Sequence, residues 1–76
     1  MLSEEEKADF GCEIHVMEGK YIVTYFSEKV ELDQGFVSFA PGYRIDAQYQ
    51  GKVSGETMTF PSHLVTKIIR RVKERP

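Results

Sequence analysis

The chain has 76 residues, 41% of them hydrophobic and 29% charged, and a formal net charge of −2 at pH 7. This composition is typical of one folded domain over residues 1–76, excludes a disordered chain and argues against bulk affinity for nucleic acids. No apolar run approaches the roughly 20 residues that span a bilayer, and the acidic N-terminus does not resemble a secretory signal. We therefore expect a cytoplasmic protein with no membrane contact.

The single cysteine, Cys12, cannot form an intramolecular disulfide. A chain this short without a covalent staple gains stability from good packing or from self-association, so we expect a homodimer. Cys12 and His15 have the spacing of half a metal site, but residues three apart in a strand point to opposite faces. We predict no metal and no cofactor.

With no nucleophile beside a base, no carboxylate pair and no phosphate-binding loop, we also predict that the chain is not an enzyme.

The first predicted element is a short N-terminal helix. Ser3 and Glu6 have the spacing of a capping box, in which each side chain bonds the backbone N–H of the other residue. Gly11 is placed to end this helix after Phe10.

The next predicted element is a β-hairpin. Residues 12–17 and 20–26 flank Glu18-Gly19, a plausible two-residue loop. In that register Ile14 faces Val23 and Cys12 faces Tyr25. The hairpin then has one apolar face and one mixed face. The apolar face consists of Cys12, Ile14, Val16, Tyr21, Val23 and Tyr25, and the mixed face includes Met17, Ile22 and Phe26.

Further short strands are predicted at residues 29–32, 36–40, 43–50 and 56–60, the second of them near the middle of a sheet because it is apolar on both faces. Turns are predicted at residues 33–35, at Pro41-Gly42 and at residues 51–55. Residues 43–50 alternate most regularly. Their inward side is predicted to consist of Tyr43, Ile45, Ala47 and Tyr49, and their outward side of Arg44, Asp46, Gln48 and Gln50.

After Pro61 the apolar period lengthens from two towards 3.6, which predicts an amphipathic helix with Ser62 as its N-cap. The apolar stripe of this helix consists of Leu64, Val65, Ile68, Ile69 and Val72. Lys67, Arg70 and Arg71 lie at i, i+3 and i+4, so a helix would gather them into one positive ridge.

The charges are distributed unevenly along the chain. Residues 1–61 hold five basic and eleven acidic side chains, a net charge of −6, whereas residues 62–76 hold five basic and one acidic, a net charge of +4. Such asymmetry favours a binding surface or the docking of one part of the chain on the other. The candidate binding residues are Lys67, Arg70, Arg71, Tyr43 and Arg44.

The predicted fold is α+β: an antiparallel sheet of five or six strands with a short N-terminal helix and a C-terminal amphipathic helix packed on it. A small, strongly bent barrel of the SH3 or Sm kind is the alternative. For function we expect a small non-catalytic protein-binding or regulatory module that acts through a sheet face or edge and the basic helix. The alternative is a nucleic-acid-binding module that uses the basic helix and sheet aromatics.

Overall fold

A computed structural model describes residues 3–71, apart from the side chains at positions 4, 5 and 8. In chain order its elements are α1 (Glu4–Phe10), β1 (Cys12–Glu18), β2 (Tyr21–Ser27), β3 (Glu31–Asp33), β4 (Phe36–Phe39), β5 (Pro41–Ile45), β6 (Gln50–Lys52), β7 (Met58–Pro61), a 3-10 turn (Ser62–Leu64) and β8 (Val65–Arg70). The structure is mostly β, so the prediction of an α+β fold with two helices packed on the sheet is wrong. Among residues 3–71, no helix has the length and apolar character needed to cross a bilayer.

The strands form two antiparallel sheets, ordered β6-β5-β2-β1-β8 and β3-β4-β7. Four stretches of chain pass from one sheet to the other, as β2 leads into β3, β4 into β5, β6 into β7, and β7 into β8. The architecture is therefore two antiparallel sheets joined by these crossings, and not one sheet covered by a helix.

Ser27 occupies the bend between β2 and β3. It is only 2% exposed, and its hydroxyl donates to the carbonyl of Lys29 and accepts from the Lys29 N–H at 3.2 Å. The β2–β5 register also shifts between Phe26 and Ser27. A buried hydroxyl that bonds the backbone satisfies the polar groups that the ladder leaves unpaired at such a bend.

The predicted capping box forms at the start of α1. The Glu6 N–H donates to the Ser3 hydroxyl and the Ser3 N–H donates to the Glu6 carboxylate, both at 3.1 Å. Gly11 follows the helix with φ of +81°, and a Cβ there would lie 3.0 Å from the carbonyl oxygen of Glu28. Both conditions favour glycine at the end of a helix that abuts another segment. The helix docks through Phe10, whose ring lies 5.9 Å from Phe26 and 6.4 Å from Tyr43.

The first hairpin forms with a register two residues away from the predicted one. Its loop is Gly19-Lys20, and Ile14 pairs with Tyr25 instead of Val23. Gly19, with φ of +64°, takes the first loop position, as in a type II′ turn. A shift of two residues keeps every side chain on its face, so Cys12, Ile14, Val16, Val23 and Tyr25 are buried together as predicted, while Tyr21 is exposed.

Other predicted boundaries are wrong in part. Pro41 and Gly42 do not form a turn but begin β5, where the chain crosses between the sheets. The regular alternation over residues 43–50 does not continue as one strand, because Asp46 makes a turn: its carboxylate accepts from the N–H groups of Gln48 and Tyr49 at 2.7 and 2.6 Å. Three strands differ from the predicted ones by one or two residues at their ends: β3 at Glu31–Asp33, β4 at Phe36–Phe39 and β7 at Met58–Pro61. β6, at Gln50–Lys52, is not predicted by the sequence and overlaps the predicted turn at residues 51–55.

The predicted C-terminal helix is absent from the described residues. Its place is taken by the 3-10 turn and by β8, which pairs antiparallel with β1 so that Ile14 faces Ile68 and Cys12 faces Arg70. Four of the six residues of β8 are β-branched, namely Val65, Thr66, Ile68 and Ile69, and such side chains favour a strand. Val72, the last member of the predicted stripe, lies outside the described residues.

The core lies between the two sheets. It consists of Cys12, Ile14, Val16, Val23, Tyr25, Val37 and Phe39, with Val30, Met58, Phe60, Leu64, Val65 and Ile68 packed against it. β4 is the middle strand of its sheet and sends Val37 and Phe39 inward. The ring of Tyr25 lies 5.3 Å from that of Phe39 and 5.9 Å from that of Phe60, so aromatic side chains fill the centre of this small core.

We predict that Ile14→Ala lowers the free energy of unfolding by about 2–5 kcal/mol, because Ile14 is fully buried and its removal leaves a cavity. The matched control is Ile22→Ala on the neighbouring strand. Its side chain is 51% exposed, so the change should stay within about 0.5 kcal/mol. Urea denaturation followed by circular dichroism measures both, and equal losses would show that the two sheets do not enclose Ile14.

Candidate functional site

The structure separates the three basic residues that the sequence predicts to form a ridge. Lys67 and Arg70 lie three apart on β8, so they fall on opposite faces of the strand, and Arg71 follows the end of β8. Lys67 lies beside His15 and Arg70 beside Cys12 in the β1–β8 ladder, and both basic side chains are exposed. The prediction of a positive ridge on a helix is therefore wrong, although the side chains of Lys67 and Arg70 are accessible to solvent.

Arg71 is engaged by β1. Its guanidinium Nη2 donates to Glu13 Oε1 at 2.8 Å, and its backbone N–H donates to the Gly11 carbonyl at 2.7 Å. Glu13 also lies 2.6 Å from His15 Nε2 through its second carboxylate oxygen. Burial raises the pKa of Glu13, but the hydrogen bonds and positive charge of Arg71 and His15 outweigh this effect, so the pKa is lowered overall. This network holds the end of β8 against β1.

His15 also lies near a hydroxyl, since its Nδ1 is 3.5 Å from Thr24 Oγ1. The three side chains are arranged like a nucleophile, a base and an acid that orients the base, in the order Thr24, His15 and Glu13. Acyl transfer also needs N–H donors aimed at a developing oxyanion. β1 and β2 each have ladder partners on both sides, which occupy their backbone N–H groups. The arrangement therefore fits a structural network better than a catalytic one.

Tyr43 lies on the face opposite to the predicted one. It pairs with Phe26 across the β2–β5 ladder, and the two rings lie 6.1 Å apart beneath Phe10. This places Tyr43 in a small aromatic cluster on the outer side of the five-stranded sheet, covered by α1. Phe26, which the sequence assigned to an open mixed face, is 1% exposed for the same reason. Tyr43 is half-buried in this cluster and is a poor platform for a stacked base.

Arg44 faces the core side instead of the solvent side. It pairs with Tyr25, and its guanidinium carbon lies 5.8 Å from the centre of the Tyr25 ring. Its Nη2 lies 2.8 Å from Asp46 Oδ2. The Tyr25 hydroxyl donates to Glu18 Oε2 at 2.6 Å, and burial together with this bond raises the pKa of Tyr25.

Arg44 and Glu18 line a cavity of about 280 Å³ at this end of the structure. Tyr21, Val23, Asp46, Ala47 and Gln48 complete the lining. Arg44 pairs with Asp46, and Glu18 accepts from Tyr25, while the Arg44 Nε is buried without a hydrogen-bond partner within residues 3–71. Most of the charged groups around this cavity are thus engaged with neighbouring side chains.

A second cavity, of about 290 Å³, lies beside β8 and has a different character. Its apolar lining includes Val65 and Ile68 of β8, Leu32 of β3 and Val37 of β4, and Ser62, Thr66 and Lys67 complete it. We call this cavity the β8 groove. The sequence did not predict the groove because it placed Val65 and Ile68 on a helix covering the sheet. The groove exists because these residues lie on a strand at the edge of the sheet.

Comparison with protein-family models, with curated proteins and with solved structures finds no match to this chain. Function is therefore argued from the groove and its surroundings.

We predict that Glu13→Gln and Arg71→Gln each destabilise the fold, and that a double-mutant cycle gives a coupling of about 1 kcal/mol at pH 7. The folded-state pKa of Glu13 is lowered from its ordinary value of 4.5, so the coupling is complete above that pH and declines as the pH falls through the lower folded value. Arg70→Gln is the control and should have little effect. Urea titrations from pH 7 down to about pH 2 (about one pH unit apart) measure this, and a coupling that shows no decline as the pH falls would contradict the ion pair.

Proposed function

We propose that this protein is a non-catalytic protein-binding module that accepts an extended segment of a partner along β8. The observation that carries the proposal is the position of the β8 groove directly beside a strand with an unpaired edge. A partner strand added at that edge would place alternate side chains in the groove.

β8 has the properties of an edge available for strand addition. Within residues 3–71 it pairs with β1 alone, and it is six residues long. Such an edge presents a row of N–H and C=O groups that can extend a ladder, and proline, which lacks an N–H, interrupts this row. β8 contains no proline. It carries one bulge, at Thr66, because the adjacent residues His15 and Val16 of β1 pair with Lys67 and Val65. This bulge places Val65 and Ile68 on the same face, and the Thr66 hydroxyl donates to the His15 carbonyl at 3.3 Å.

The groove supplies apolar surface to an incoming segment. Leu32 is 59% exposed at its margin, whereas Val37 is 2% exposed and reaches into the core. Val65 and Ile68 form the β8 side. In a strand added to β8, every second side chain would point towards these residues, so small or medium apolar side chains at alternate positions would be selected.

The charges of β8 select acidic residues at the other positions. Lys67 lies on the face of β8 opposite to Ile68, whereas Arg70 shares the face of Ile68, so Lys67 is the cation beside these positions. Its side chain is exposed, and among the described residues it forms no ion pair. Opposite charges on neighbouring strands stabilise a ladder, and like charges destabilise it. The favoured partner segment therefore alternates acidic and apolar residues.

The alternative, a nucleic-acid-binding module, receives less support. It depended on a basic helix and on sheet aromatics. β8 replaces the helix, Arg71 and Arg44 are held by carboxylates, and Tyr43 packs under Phe10. Lys67 and Arg70 alone provide a small charge for phosphate contacts.

We predict that a short peptide of alternating glutamate and valine binds the protein, and that Lys67→Glu with Arg70→Glu weakens binding by about tenfold or more. The control variant is Lys20→Glu with Lys52→Glu, which makes the same charge change at exposed positions away from the groove. Fluorescence anisotropy of the labelled peptide measures both affinities.

Three further probes separate the outcomes of this experiment. A lysine–valine peptide should bind more weakly, and a peptide with proline at its centre should not pair with the edge. Single-stranded RNA should bind weakly or not at all. Equal binding of the glutamate and lysine peptides, or RNA binding with a steep loss at high salt, would contradict the proposal.

A further inference from the structure

We infer that the segment accepted by β8 is β3 of a second copy of this chain. The inference rests on the proposed function, because it names the partner of the β8 edge. It depends on a second free edge in the same molecule, whose sequence and charge complement those of β8.

β3 has the composition that the β8 edge selects. It consists of Glu31, Leu32 and Asp33, an apolar residue between two acidic ones, and all three are exposed. The alternation is fixed by the β3–β4 ladder, in which Leu32 pairs with the inward-pointing Val37, while Glu31 and Asp33 pair with Ser38 and Phe36. A single extended segment of this chain thus presents carboxylates on one face and a leucine on the other.

The remaining edge of β3 is open. β3 pairs only with β4 within residues 3–71, and it is the outer strand of its sheet. β8 is the outer strand of the other sheet, and the two strands are not paired with each other in one chain. Within residues 3–71, each copy therefore carries one acidic edge and one basic edge that are left unpaired.

Pairing between copies would satisfy the two edges together. Leu32 of the incoming strand would extend the apolar lining formed by Val65 and Ile68. Glu31 and Asp33 would lie on the other face of the new ladder, where they would approach Lys67. Since β3 has only three residues, the new ladder is short, and association should depend on concentration in the micromolar range. Two identical chains can make this contact twice, so that both edges of each copy are covered.

Charge reversal with mixing tests the inference. The acidic-edge variant carries Glu31→Lys and Asp33→Lys, and the basic-edge variant carries Lys67→Glu and Arg70→Glu. Each variant alone brings like charges together at the contact, whereas a mixture of the two pairs a basic β3 with an acidic β8 and an acidic β3 with a basic β8. Sedimentation velocity across the micromolar range measures the masses, and circular dichroism confirms that each variant is folded.

The expected result is an associated species of twice the 8.7 kDa chain mass for the parent, monomers for each variant alone, and recovery of the associated species in the equimolar mixture. Glu28→Lys with Glu56→Lys is the charge-matched control and should associate like the parent, because both positions are exposed and lie outside β3. A monomeric parent throughout, or association that survives in both variants, would overturn the inference.

The glutamate–valine peptide distinguishes failure of this inference from failure of the proposed function. If the peptide binds β8 while the parent chain stays monomeric, the edge accepts strands but β3 is not its partner. If neither the peptide nor a second copy binds, both proposals fall. If both bind, excess peptide should also dissociate the associated species, because the two compete for one edge.

Discussion

The burial of Tyr25 between the two sheets is the contact on which the rest of the structure depends. Its ring packs against Phe39 and Phe60 from the second sheet and lies under the guanidinium of Arg44, while its hydroxyl bonds Glu18. A short chain without a disulfide has few ways to enclose so large a side chain. Four crossings of the chain between the two sheets enclose the ring between them, and its hydroxyl donates to Glu18.

The charged residues have different roles around this core. Arg44 and Asp46 close one end of the core, and Arg71 is tied to Glu13 on β1. Phe10 covers the aromatic cluster on the outer side of the five-stranded sheet, and this packing stabilises the fold. Among the described residues, the edges of β8 and β3 keep exposed charges of opposite sign beside apolar side chains. Lys67 and Arg70 thus lie on an edge strand and not on a basic helix.

The sequence predicted local features better than long-range ones. The capping box at Ser3 and the buried face of the first hairpin follow from neighbouring residues, and both are present. Residues 64, 65, 68 and 69 fit a helical stripe, yet the β-branched side chains of β8 and pairing with β1, some 50 residues away, favour a strand. The side on which Tyr43 and Arg44 lie depends on the β2–β5 register, and the position of the groove depends on where β8 pairs. Both are long-range features, so neither could be predicted from local periodicity.

Amide hydrogen exchange within β8, followed by NMR, tests the central claim most directly. In a strand paired on one side only, alternate N–H groups of residues 65–70 bond to β1 and exchange slowly, while the others face the open edge and exchange fast. The account predicts this alternation in dilute protein, and slow exchange of both sets when the edge is occupied at high protein concentration or by the glutamate–valine peptide. Uniform protection in dilute protein, or a fast-exchanging set that neither condition slows, would contradict it.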